Sequence, residues 1–142
     1  MRRVLLSLAV IALASGCQRP VGGAQSAQEF RQAVAGVEWQ LMEVAGQPAP
    51  MGAGNRRATI RFDADSSRAG GFAGCNRWSG SYTLEGTALR FGPIITTKMA
   101  CAQGMELEQR MVEALDATRR VERTNDQLTF FGDAGAVAKF SR

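Results

Sequence analysis

The stretch Gly70-Gly71-Phe72-Ala73-Gly74-Cys75-Asn76-Arg77-Trp78-Ser79-Gly80-Ser81-Tyr82-Thr83-Leu84 carries the reading of the fold. Glycines at positions 70, 71 and 74 permit a bulge or a close backbone approach. Cys75-Asn76-Arg77 then reads as a polar corner. Ser79 to Leu84 reads as a strand, Glu85-Gly86 as a tight turn, and Thr87 to Phe91 as the returning strand of a hairpin. The middle of the chain is therefore antiparallel sheet with a cysteine at its corner.

Working outward, the same period of two recurs. Trp39-Gln40-Leu41-Met42-Glu43-Val44 alternates roughly and stops at Gly46-Gln47-Pro48. Ala58 to Phe62 alternates cleanly, with Ile60 and Phe62 on one face and Thr59 and Arg61 on the other. Near the end, Gln127 to Phe131 and Ala136 to Phe140 flank a Gly132-Asp133-Ala134-Gly135 turn. Two segments follow the helical period instead. Ser26-Ala27-Gln28-Glu29 fits a capping box ahead of Phe30, Ala33 and Val34. Gly104 to about Thr118 predicts the main helix, with Met105, Met111, Val112 and Leu115 on its inner face and Leu107 near the edge. These elements predict an α+β fold: a small, strongly curved antiparallel sheet, half-barrel-like, with one main α-helix packed on it.

The block Gly74-Cys75-Asn76-Arg77-Trp78, followed by Leu89-Arg90-Phe91-Gly92-Pro93-Ile94 and Thr96-Thr97-Lys98-Met99-Ala100-Cys101, resembles the META domain, the HslJ-like family of bacterial envelope proteins. Gly36-Val37-Glu38-Trp39-Gln40-Leu41 extends the likeness upstream, so that it covers about Gly36 to Phe140. The resemblance implies a curved antiparallel sheet carrying a helix. It also implies membership of a group that includes lipoproteins and is linked to envelope stress. It supplies no catalytic residues.

The first segment says where such a protein works. Met1-Arg2-Arg3 is a positive n-region, Val4 to Ala14 an apolar h-region, and Ser15-Gly16-Cys17 a processing site. The pattern resembles a bacterial lipoprotein signal, which implies cleavage before Cys17 and acylation of that cysteine. The apolar run is too short to span a bilayer, which needs about 20 residues. The expected organisation is a signal peptide over 1–16, lipidated Cys17 and a flexible Gly-, Ala- and Gln-rich tether over 17–27, and a META-like domain over 28–142. Gln18 follows the cysteine in place of aspartate. By resemblance to Gram-negative sorting, that directs the protein to the periplasmic face of the outer membrane.

Composition narrows the chemistry. The 142 residues contain no histidine, which removes the commonest general base, metal ligand and triad partner. The signal holds Arg2 and Arg3 and no acid, so cleavage lowers the formal charge from +4 to +2. The mature doublets Arg56-Arg57 and Arg119-Arg120 are not clustered with aromatics, which argues against nucleic acid. Once Cys17 is lipidated, Cys75 and Cys101 remain. In an oxidising compartment two such cysteines suit a structural disulfide better than a metal site or a redox couple, which usually takes a C-x-x-C spacing.

Asn76, Arg77 and Trp78 are the candidate binding residues. A cation, an amide and an indole beside flexible glycines suit a peptide or a glycan. The competing reading has Asn76 capping a turn and Trp78 filling the sheet. Glu106, Glu108 and Glu113 read as solvent-facing helix acids that favour the helix dipole. No Gly-x-Ser-x-Gly elbow accompanies Ser79 or Ser81. No enzyme activity, cofactor or metal is expected. The expected function is a non-catalytic, lipid-anchored envelope module that binds a protein or a cell-wall component. The alternative is an inhibitor or chaperone-like factor acting on an envelope hydrolase.

Overall fold

The computed structural model describes residues 24–142, so the signal peptide, Cys17 and most of the expected tether lie outside the described residues. The chain runs α1 (Ala24–Val34), β1 (Glu38–Val44), β2 (Gln47–Pro48), a 3-10 turn (Ala53–Asn55), β3 (Thr59–Phe62), β4 (Arg68–Phe72), β5 (Arg77–Glu85), β6 (Ala88–Phe91) and β7 (Ile95–Thr96). It continues through α2 (Met105–Ala117), β8 (Arg120–Thr124), β9 (Gln127–Gly132) and β10 (Gly135–Ser141).

The expected half-barrel on an α+β plan is not what forms. The strands pair in the order β1-β3-β4-β5-β6-β8-β9-β10, and β10 returns to β1. That is a closed antiparallel barrel of eight strands, with β2 and β7 outside the ring and, among the described residues, only two short α-helices. The fold is predominantly β. Closure comes from β1, which pairs with β3 over Glu38 to Gln40 and with β10 over Gln40 to Val44. A register shift between Leu41 and Glu43 marks an irregularity in the β1–β10 ladder. Closing the ring removes the unpaired edges that an open sheet would leave exposed. Across the seam, the Lys139 ammonium lies 2.7 Å from the Glu43 carboxylate.

Alternation supplies the core. On β5, Trp78, Gly80, Tyr82 and Leu84 are buried between exposed or half-buried neighbours. The interior fills with rings: Phe62 meets Tyr82 edge-on at 5.1 Å between centroids, and Phe130 meets Phe140 at 5.0 Å. An eight-stranded barrel has room for such side chains and little more. Helix α1 packs on β3 and β5, with Val34 fully buried. It starts at Ala24, ahead of the capping box at Ser26, so residues 24–27 are helical where the sequence suggests the end of a tether. Helix α2 packs on β1, β6, β9 and β10 through Leu107, Met111, Ala114 and Leu115. Leu107 rather than Met105 belongs to that inner face, and Met105 is 54% exposed.

Four strands escaped the sequence reading, the two-residue β2 and β7 outside the ring and two within it. β4 occupies the glycine-rich stretch expected to serve a bulge or a close backbone approach, and β8 (Arg-Val-Glu-Arg-Thr) buries only Val121. The glycines of β4 do serve close approach: a Cβ on Gly71 would collide with the Thr59 carbonyl, and one on Gly70 would lie 2.8 Å from the Trp78 carbonyl oxygen.

Candidate functional site

The corner between β4 and β5 is built around a disulfide. Cys75 and Cys101 are bonded, with their Cα atoms 5.8 Å apart and their positions 26 apart in sequence. The bridge brings the start of α2 beside Asn76, and Asn76 becomes the hub of the corner. Its backbone N–H donates to Glu108 Oε2 at 2.6 Å. Its side-chain amide donates to the Met99 carbonyl at 3.1 Å and to Glu108 Oε1 at 3.3 Å. Its Oδ1 accepts from the Met99 N–H at 2.8 Å and the Thr97 hydroxyl at 2.9 Å. Asn76 is 4% exposed, and its polar atoms are spent on the frame.

Trp78 is spent in the same way. It is 3% exposed, its ring stands edge-on to Phe91, and its indole N–H donates to the Thr59 carbonyl at 3.1 Å. Arg77 differs. Its backbone N–H is held by the Thr97 hydroxyl at 3.2 Å, but its side chain is exposed. The three candidate binding residues therefore do not share a surface. Two are buried and one projects.

The surface onto which Arg77 projects is a groove across the outside of the barrel. Cross-strand register sets out its floor: Glu38 lies opposite Arg61, Arg61 opposite Gly70, Gly70 opposite Ser79, and Ser79 opposite Ile95. In the next row Phe72 lies opposite Arg77. Gly70 presents no side chain in the middle of that line, so the floor sinks between Arg61 on one side and Ser79 and Ile95 on the other. Two adjoining depressions of about 430 and 590 Å³ result, sharing Glu38, Gly71 and Arg77. Arg56 caps Phe72 from outside, its guanidinium 4.0 Å from the ring centre. Among the described residues, Arg56, Arg57, Arg61 and Arg77 take part in no ion pair.

The META domain family model matches residues 32–142, which takes in the whole ring of strands, the disulfide and the groove. The chain belongs to the META domain family. Two solved structures share the fold. One, an NMR structure of a protein from Burkholderia xenovorans, is 25% identical with a TM-score of 0.63, covering 100% of this chain and 98% of that one. The second, also an NMR structure, is 25% identical with a TM-score of 0.61, covering 78% of this chain and 92% of that one. No curated protein matches the chain.

Within this META domain the sequence reading missed Glu108, taken for a solvent-facing acid. The signal lay in the disulfide: Glu108 stands seven residues beyond Cys101, so a Cys75–Cys101 bond brings it back to residue 76. Glu106 and Glu113 do face solvent, and Glu113 accepts from the Gln109 side-chain amide at 3.0 Å. Arg56 and Arg61 were also missed as members of a site. Strand register brings Arg61 to the Arg77 face, and Arg56 reaches it from the loop after the 3-10 turn by stacking on Phe72. Among the described residues, no group of three or more metal-binding side chains is found, and no helix is long and apolar enough to cross a membrane.

One buried polar atom stands apart. The Tyr82 hydroxyl has no hydrogen-bond partner among the described residues. Burial pushes its pKa above the ordinary phenol value; Arg31 opposes that shift and Asp63 adds to it.

Proposed function

We propose that this META domain is a non-catalytic, lipid-anchored module of the bacterial envelope that engages a partner through the groove around Arg77. The observation that carries the reading is the split within the corner. Asn76 and Trp78 are locked into the frame, whereas the Arg77 guanidinium is presented to solvent beside a glycine floor. A frame that fixes the backbone from which Arg77 projects suits binding, because little loop ordering is left to be lost on association. The anchor rests on the Arg-rich, apolar and Cys17-ending first segment. Placement at the periplasmic face of the outer membrane rests on Gln18, and the stress link on the family resemblance.

Fractionation and crosslinking test the proposal together. Cys17→Ser should move the protein from the membrane to the soluble fraction. In the lipidated protein, Arg77→Ala should reduce capture of its crosslinked partner without lowering the melting temperature. Membrane retention of the first variant, or undiminished capture by the second, would count against the corresponding half of the proposal.

A further inference from the structure

We infer that the groove over Gly70 takes an extended acidic peptide segment of a partner protein. The inference rests on the proposal that this groove is the binding face, and it names the ligand. Size comes first. The line from Glu38 through Arg61, Gly70 and Ser79 to Ile95 crosses five strands. Four inter-strand steps of roughly 4.8 Å give about 19 Å, the reach of five or six extended residues. Charge comes next. Arg61 and Arg77 flank the glycine floor from β3 and β5, two strand spacings across and two residues along, about 12 Å apart. Neither is paired with a carboxylate among the described residues, although Glu38 lies directly opposite Arg61. Guanidinium groups in that state match carboxylates with two-pronged geometry.

The ends of the groove add a pattern. Ile95 is 66% exposed at one end and offers an apolar contact. Glu38 and Asp63, which line the groove beside Arg61, repel a carboxylate at the other end and accept a basic or amide side chain. The fitting segment is apolar at one end, acidic in the middle and basic or neutral at the far end. A glycan suits the groove less well. No aromatic face in it is open for a sugar ring to stack on, because Phe72 lies beneath Arg56 and Trp78 is inside the barrel.

The test uses the mature lipidated protein in detergent micelles and a fluorescent, photo-crosslinkable hexapeptide of the sequence Leu-Ser-Glu-Ser-Glu-Lys. Its counterpart with both glutamates replaced by glutamine serves as comparison, and an acidic trisaccharide as competitor. The acidic peptide should bind at least tenfold more tightly than the glutamine peptide, crosslink to β4 or β5, and weaken with added salt. Arg61→Ala and Arg77→Ala should each weaken it by about tenfold at an unchanged melting temperature. Equal affinity for the two peptides, with crosslinks still in β4 or β5, would overturn the acidic preference and leave the groove as a binding face. Absence of groove crosslinks with either peptide, together with partner capture insensitive to Arg77→Ala, would overturn both. Displacement of the acidic peptide by a tighter-binding trisaccharide would assign the groove to glycans and overturn the peptide reading.

Discussion

The Glu108 carboxylate holds Asn76 twice, accepting the backbone N–H at 2.6 Å and the side-chain amide at 3.3 Å. One residue of α2 thereby fixes the corner from which Arg77 projects. Hydrogen bonds to a charged acceptor contribute about 1.5–3 kcal/mol, and a buried N–H that loses its acceptor costs a similar amount. Glu108→Gln keeps one acceptor oxygen and loses the charge. It should lower the urea-unfolding free energy by about 1–2 kcal/mol, and Glu108→Ala by about 2–3 kcal/mol. Unchanged midpoints in both variants would show that the corner stands without α2.

The disulfide is the second tie on the same corner. It closes a segment of 26 residues, for which the chain-entropy account gives about 3–4 kcal/mol. Cys75→Ser/Cys101→Ser should lose that much stability and fall in melting temperature. Added reductant should lower the wild-type melting temperature and leave the double variant's where it was. A reductant effect of equal size on both proteins would place the labile feature elsewhere.

Much of the fold could be read from the sequence because alternation is a local signal. Ile60 and Phe62 face inward as their spacing demands, and so do Tyr82 and Leu84. Closure is not local. It depends on Leu41 meeting Phe140 and Val44 meeting Ala138, across nearly the full length of the domain. Alternation tells which face of a strand is wet but not which strand stands beside it. β8 was lost because its charges hide its single buried residue, Val121, and β4 because glycines carry no pattern. The site divided along the same line. Residue type alone leaves Trp78 open between a binding face and the sheet interior, and the groove needed the register that sets Arg61, Gly70 and Ser79 in one row.

Amide exchange tests that closure directly. In an open sheet, β1 and β10 would be edges, and their outward amides would exchange through local fraying. In the closed ring, β10 is paired on one side with β9 and on the other with β1. The Ala45 amide, which donates to the Val137 carbonyl across the seam at 2.9 Å, should therefore be protected to the same degree as that of Tyr82 on β5. Exchange there a hundredfold or more faster would mean that the seam opens independently of the rest of the barrel.

Truncations separate the frame from the groove. Trp78→Ala removes a buried indole and leaves the Thr59 carbonyl without its donor, so it should cost about 3–5 kcal/mol. Arg77→Ala removes an exposed side chain and should change stability by no more than about 0.5 kcal/mol. Denaturant midpoints of the two variants measured side by side decide the matter. A large loss in Arg77→Ala would make that residue structural after all.

Tyr82 offers a measurement without ambiguity of assignment, because it is the only tyrosine in the chain. Its hydroxyl is buried without a partner among the described residues, a condition that costs about 1–3 kcal/mol. Tyr82→Phe deletes the hydroxyl and keeps the ring against Phe62, so stability at pH 7 should rise, by about 1 kcal/mol. The sign of the pH effect follows from burial. The folded phenol holds its proton to a pH above the unfolded value of about 10. Below that value both states are protonated and the group contributes no pH dependence. Above it the unfolded chain releases a proton that the folded one retains, so stability falls as pH rises until the folded phenol itself ionises. The wild-type protein should lose stability above about pH 10 more steeply than Tyr82→Phe. Its phenolate absorbance near 295 nm should emerge only above the ordinary range while the protein stays folded. A phenol that titrates at or below its ordinary value in the folded protein would mean that Tyr82 is reached by water, and the gain expected from Tyr82→Phe would vanish with it.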